Sequence, residues 1–306
     1  MTCVEHLPSL EDFVRDHLGA DRLADLNNQS KGGDNNAKGN RHETFFAAYK
    51  LAESYTEFPE DNIEISSQEK AFVDDLTIMN FTKNSKQSYQ LKDSKRVYWH
   101  KSKGIAPYFR DQYKIDLNHF NVDSSKTTLV LAQEKVYELR NKDIPENIKH
   151  HTECVLFKNS ETANKMLLNN QDFKDVVSKF CAYPTQTDKL EIVLQNLVGT
   201  WTTHNKEKKK VSEFIDLAKK AANPDFFRDS NDNYSISNKL SQLLDNIDGL
   251  SYTIHNGFLN YEINDFSGIV RSKIGTPEFE KLSEAIIEGN PSDIMSLLGF
   301  LMRSGA

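Results

Sequence analysis

Hydrophobic residues recur at two periods along this chain. In the C-terminal half Leu190, Val193, Leu194, Leu197, Val198 and Trp201 fall three or four positions apart, which lines one side of an α-helix. Val211, Phe214, Ile215, Ala218 and Ala222 predict a second helix, and Leu240, Leu243, Leu244 and Ile247 a third. The run KEKKK at 206–210 reads as the exposed start of a helix. A last helix is expected with Asn290 as N-cap, Pro291 at its first position, and Ile294, Leu297, Leu298, Leu301 and Met302 on one side. SYTIHNGFLNYEI interrupts this series, and its Asn256-Gly257 pair signals a hairpin turn.

The N-terminal half alternates between the two periods. Leu10, Phe13, Val14 and Leu18 predict a helix over 8–24, ending near Gly19. A polar loop, KGGDNNAKGN at 31–40, precedes a helix carrying Phe45, Phe46, Tyr49 and Leu51 to about residue 55. FVDDLTIM at 72–79 and SYQLKDS at 88–94 are short and extended, and the polar stretch 80–87 between them makes them a β-hairpin. A helix over 104–117, strands at TTLVLAQ (127–133) and ECVLFK (153–158), and a helix over 160–169 follow. This is an α/β order, so the chain is expected to hold an α/β domain over 1–184 and a mainly helical domain over 185–306.

Composition narrows the class. With 306 residues and 10% aromatics the chain can build a sizeable core. Glu5, Glu11 and Asp12 break up the apolar run a signal peptide needs, no segment has membrane-spanning character, and Cys3, Cys154 and Cys181 form no C-x-x-C pair. A cytoplasmic protein with no membrane contact is expected. The net charge of −7 argues against a polyanion partner until its distribution is read. Positions 83–114 hold nine basic residues against two acids, a local net of +7 that leaves −14 for the rest. Tyr89, Tyr98, Trp99, Tyr108, Phe109 and Tyr113 are interleaved there, so base stacking as well as phosphate contact is expected, with Lys86, Lys95, Arg96, Lys101 and Lys103 as nucleic-acid-binding residues.

Phosphodiester hydrolysis requires a divalent cation on hard oxygen ligands, an activated water and a positive group near the phosphate. The hairpin supplies candidates. Strand alternation puts Gln90 and Lys92 on one side and Leu91 on the other, and the turn brings Asp75 alongside. The Asp75 carboxylate, the Gln90 amide oxygen and the Leu91 backbone carbonyl are expected to hold Mg²⁺ (or Mn²⁺), with Lys92 orienting water or neutralising charge. Asp74 competes with Asp75 as the ligand, because a bulge would exchange their sides. His42 and the His150-His151 pair read as surface or loop histidines.

The spacing Asp75-x(14)-Gln90-x-Lys92, with GNRHETFFAAYKLAE upstream, resembles the Q-x-K variant of the PD-(D/E)XK nucleases, in particular the endonuclease domains of bacterial anti-phage effectors of CBASS and Lamassu systems. The resemblance covers about residues 30–180. It implies a restriction-endonuclease-like fold, a mixed sheet flanked by helices, and assigns Glu43 on the first helix to the metal site. It also implies cleavage of double-stranded DNA by a subunit that is held by an SMC-like ATPase and an accessory subunit and self-associates on activation. Gln90 stands where most relatives carry an acid, which implies a weaker or conditional metal site. The alternatives are a non-catalytic nucleic-acid-binding or scaffold subunit, and a nuclease acting on RNA.

Overall fold

The computed structural model describes residues 9–29, 37–58, 62–100, 104–222, 226–228, 234–263 and 266–303. Lys101, Lys103 and Cys3 lie outside them. The chain divides into two compact units, Met1–Val177 with Leu194–Ala218, and Ser178–Val193 with Lys219–Ala306. The sequence suggested one boundary near 184/185, whereas the chain passes between the units three times.

In the first unit, α1 (Leu10–Leu18) and α2 (Ala20–Gln29) take the place of the single helix expected over 8–24. Gly19 separates them at φ 98°, a left-handed backbone that glycine adopts without steric cost. Helix α3 (Ala37–Glu57) starts inside the stretch expected to be loop and runs for 21 residues. Strands β1 (Ile63–Ser66), β2 (Leu76–Asn80) and β3 (Ser85–Lys92) follow. Next come α4 (Ala106–Asn118), β4 (Ser124–Leu131), α5 (Glu134–Lys142), β5 (Thr152–Leu156), α6 (Ala163–Asn169), α7 (Gln171–Phe180) and α8 (Thr187–His204), of which residues 178–180 of α7 and 187–193 of α8 belong to the second unit. Residues 206–210 are not a helix start: Lys209–Lys210 form β6, which pairs with β1 through Glu64↔Lys210 and Ile65↔Lys209, and α9 (Val211–Ala221) begins only afterwards.

These strands make one six-stranded mixed sheet in the order β5-β4-β3-β2-β1-β6. The β2–β3 hairpin is antiparallel with Leu76 opposite Tyr89, and β3, β4 and β5 are parallel neighbours. Helices cover both sides. On one, Trp99, Phe109, Leu129, Leu131 and Val136 form a buried cluster with α4 and α5. On the other, Phe46 of α3 meets Tyr89 and Phe157 edge-on at 5.2 Å. Burial of large side chains at roughly 1.5–3 kcal/mol each makes these two layers the main stabilising term of the unit.

The second unit contains helices and a three-stranded antiparallel sheet, β7 (Leu250–His255), β8 (Phe258–Ile263) and β9 (Phe266–Ile269). Asn256 and Gly257 join β7 to β8 with φ 49° and 81°, the positive pair a tight hairpin requires. Helices α10 (Asn238–Asp245), α11 (Pro277–Gly289) and α12 (Ile294–Arg303) bury Leu240, Leu244, Phe279, Leu282, Ile286 and Leu297 against this sheet. Asn290 is not the N-cap of the last helix. It closes α11 in the left-handed region at φ 42°, and Asp293 caps α12 by accepting from the Ser296 N–H at 2.9 Å.

Candidate functional site

Strand β2 begins one residue after Asp75. The nine preceding residues, 67–75, form no regular ladder, so the backbone carrying Asp74 and Asp75 is held by single bonds. Gln68 N–H donates to the Asp74 carbonyl at 2.8 Å, and the N–H groups of Phe72 and Val73 donate to Gln112 Oε1 on α4 at 2.9 and 3.4 Å. Continuing the hairpin register past Leu76↔Tyr89 puts Asp75 opposite Gln90.

The hairpin brings the three expected side chains together. Asp75 Oδ2 accepts from the Gln90 side-chain amide and from the Leu91 backbone N–H, the latter at 2.6 Å, and lies 3.8 Å from Lys92 Nζ. Lys92 is 38% exposed and Asp75 17%, so the ammonium faces solvent while the carboxylate lies below it. Leu91 itself is buried, as alternation requires.

Glu43 joins them electrostatically. Burial, and then the negative charge of Asp75, push its carboxyl up to about 7, against the pull of Lys92. Asp74 is pushed up to about 7 by burial and then by Asp75, with Glu43 adding to the effect. Glu43 lies in the second turn of α3, which starts at Ala37, so a favourable helix dipole does not account for its position. Three carboxyl groups and one ammonium thus act on one another at the end of the hairpin, and two of the acids lose their protons only as the pH passes through about 7.

This donor set fits a hard cation of modest demand. Among the described residues no group of three or more His, Cys, Asp or Glu is arranged as a metal cage. Magnesium usually takes one or two carboxylates and keeps several waters. Carboxyl groups that burial and mutual repulsion hold near 7 are ones a divalent cation would relieve. On the same strands Thr77 Oγ1 and Ser88 Oγ, opposite one another in the register, are buried without a hydrogen-bond partner among the described residues. The polar capacity here therefore exceeds what the protein itself satisfies. A cleft of about 390 Å³ lined by Arg41, Asp93, Asn159 and Lys165 opens where the parallel strands end.

Several other expected site residues take different roles. Lys86 is not available to nucleic acid: it is buried, 2.9 Å from Asp116 Oδ1, with its ammonium 4.0 Å from the centre of the Phe120 ring. Tyr89, Trp99 and Phe109 are core residues rather than stacking platforms, and Trp99 donates its indole N–H to the Arg140 carbonyl at 2.9 Å. Tyr113 already stacks on His151 at 4.0 Å. His42 is neither at the surface nor in a loop, since it is buried on α3 with Nε2 2.8 Å from the Phe157 carbonyl. Lys95 and Arg96 are exposed. Gln112 and Asp116 were not singled out in the sequence. Their signal was available: at i and i+4 they share the buried side of α4 with Ile115, where polar residues need a reason.

Comparison of the chain with family models, with curated proteins and with solved structures gives no match. No helix among the described residues is long and apolar enough to cross a membrane.

Proposed function

We propose that the first unit is a metal-dependent DNA endonuclease of the PD-(D/E)XK type, with a restriction-endonuclease-like fold, acting in the cytoplasm as an effector subunit of a bacterial anti-phage or anti-plasmid defence complex. One observation carries the reading: Asp75, Gln90 and Lys92 converge at one end of the hairpin, within electrostatic reach of Glu43. The mixed sheet with helices on both sides is the framework such a site requires.

Asp75 and Glu43, with the Gln90 amide oxygen and the Leu91 carbonyl, are the groups that would hold Mg²⁺ or Mn²⁺. When bound, such a cation supplies a water of lowered pKa and neutralises charge on the phosphate. The chain's own residues do the positioning. The Leu91 N–H and the Gln90 amide fix the Asp75 carboxylate in one orientation. Lys92, half in solvent, offers its ammonium to a phosphate oxygen arriving from outside, where partial desolvation strengthens the attraction. Lys95 and Arg96, exposed just beyond, extend that positive surface along a polyanion. The substrate is double-stranded DNA. The resemblance in the hairpin supplies the partners, an SMC-like ATPase and an accessory subunit, with self-association on activation.

Plasmid nicking with Mg²⁺ by wild type and by Lys92→Ala tests the reading, with RNA digested in parallel. The expected result is cleavage of DNA by the wild type alone; equal cutting by both proteins removes Lys92 from the chemistry. A non-catalytic nucleic-acid-binding subunit is favoured by one feature, the Gln90 amide being spent on Asp75. That alternative predicts DNA binding that is indifferent to Mg²⁺ and to Asp75→Ala.

A further inference from the structure

A continuous set of buried hydrogen bonds runs from the core of the first unit to the backbone that presents the two acids. It starts at Asp116 on α4, which is fully buried. Its Oδ1 receives Lys86 Nζ at 2.9 Å and the Gln112 side-chain amide at 2.8 Å, and its Oδ2 receives the Ser125 hydroxyl at 2.7 Å. With its amide nitrogen thus engaged, Gln112 turns Oε1 to the N–H groups of Phe72 and Val73. Those are the residues immediately before Asp74 and Asp75, in a segment with no ladder of its own.

We propose that Gln112, oriented by Asp116, Lys86 and Ser125, is a positioning residue that sets the placement of Asp74 and Asp75, and through them the metal affinity of the site. This rests on the reading of Asp75 as a metal ligand. The reasoning is geometric. A buried N–H must be paired, and 67–75 has no strand neighbour to pair Phe72 and Val73. A side-chain acceptor replaces the ladder, so the backbone two residues before Asp75 is anchored to α4 rather than to β3. A ligand shell tolerates errors of about half an ångström, so loss of that anchor acts on metal binding before it acts on the rest of the fold. Two facts separate this from core packing alone. Phe72 packs with Ile115 and Tyr108 of α4, and Val73 shares a buried cluster with Phe109, so the apolar contact exists without the polar chain, which among the described residues ends on the two N–H groups. Lys86 and Asp116 also form a buried ion pair, a costly device that apolar residues of similar size could replace if only packing were needed.

The test compares wild type, Gln112→Met and Gln112→Glu. Methionine keeps the shape and removes the acceptor, while glutamate keeps an acceptor facing Phe72 and Val73. Three quantities are measured: Mn²⁺ binding by calorimetry, the Mg²⁺ concentration giving half-maximal plasmid nicking, and amide hydrogen exchange over 67–75 in metal-free protein, all at a temperature where each variant is folded by circular dichroism. For Gln112→Met the expectation is a tenfold or greater rise in the Mn²⁺ dissociation constant and the Mg²⁺ midpoint, with loss of exchange protection confined to 67–75. Gln112→Glu is expected to fall between methionine and wild type. Unchanged metal midpoints in a folded Gln112→Met overturn the positioning role and leave the nuclease reading standing. Wild type that binds Mn²⁺ without cutting overturns the nuclease reading, and the Mn²⁺ constants then decide the positioning role alone. Wild type that neither binds nor cuts overturns both.

Discussion

Asp75 offers a sharp test because stability and function should part company there. Its Oδ2 accepts from the Leu91 N–H at 2.6 Å and from the Gln90 amide, and the side chain is only 17% exposed. Asp75→Ala leaves the Leu91 N–H without an acceptor, at a cost of about 1–3 kcal/mol, and the Gln90 amide adds part of a second such cost. The 3.8 Å pair with Lys92 is half in solvent and contributes about 0–1 kcal/mol. Against this, Glu43 and Asp74 lose the neighbouring negative charge that helps push both up to about 7, and each pKa unit recovered returns about 1.4 kcal/mol. The net for alanine is a loss of about 1–3 kcal/mol, a fall in Tm of roughly 3–10 °C for a unit of this size. Asp75→Asn keeps an oxygen for both donors and removes the repulsion, so it is expected to match or exceed wild-type stability while losing metal-dependent cleavage. Thermal and urea denaturation in chelator at pH 7.5, beside plasmid nicking, measures both. Asparagine as destabilising as alanine would refute the idea that the charge is retained for function, and asparagine that cuts like wild type would remove Asp75 from the metal site.

The raised acids also set a pH dependence. Between the ordinary carboxylate range and about 7 the folded state keeps protons that the unfolded chain has lost, so Glu43 and Asp74 make metal-free stability fall as pH rises through that window, with the loss complete above about 7. Mn²⁺ must displace those protons, so calorimetry at pH 6 and pH 8 should show tighter binding at pH 8, with proton release below about 7. Lys86→Met strands the buried Asp116 charge and should cost about 3–5 kcal/mol in urea unfolding. Lys95→Ala and Arg96→Ala should instead leave stability within about 0.5 kcal/mol and each reduce the salt dependence of DNA binding by about one unit of slope. In the second unit Gly257→Ala meets both φ 81° and the Tyr234 ring 3.0 Å away, and should lower the stability of that unit by about 1–3 kcal/mol in a denaturation curve.

Local rules made much of this protein legible from its residues. The 3.6 period of Leu190, Val193, Leu194, Leu197 and Trp201 became α8, and Asn256-Gly257 became a two-residue turn, because helix periodicity and positive-φ turns are decided by neighbours in the chain. The β2–β3 hairpin is equally local, and alternation along β3 puts Gln90 and Lys92 on one side; Asp75, just outside β2, depends also on the backbone anchor to Gln112 of α4. Strands β1 and β6 were not legible, since four residues and two residues carry too little periodicity and exist only because each pairs with a distant partner.

What only the tertiary structure decided is which charged and aromatic residues face inward. In the sequence Lys86 is indistinguishable from Lys95, and Trp99 from a stacking platform; burial against Asp116 and Arg140 separates them. The same holds for Glu43 and Asp74, which are raised first by burial and then by the Asp75 carboxylate, a neighbour of Asp74 in the chain but of Glu43 only in space. Periodicity and turn chemistry act between neighbours in the chain, whereas desolvation and like-charge repulsion depend on distances in space, which are set only when α3, α4 and the hairpin pack together.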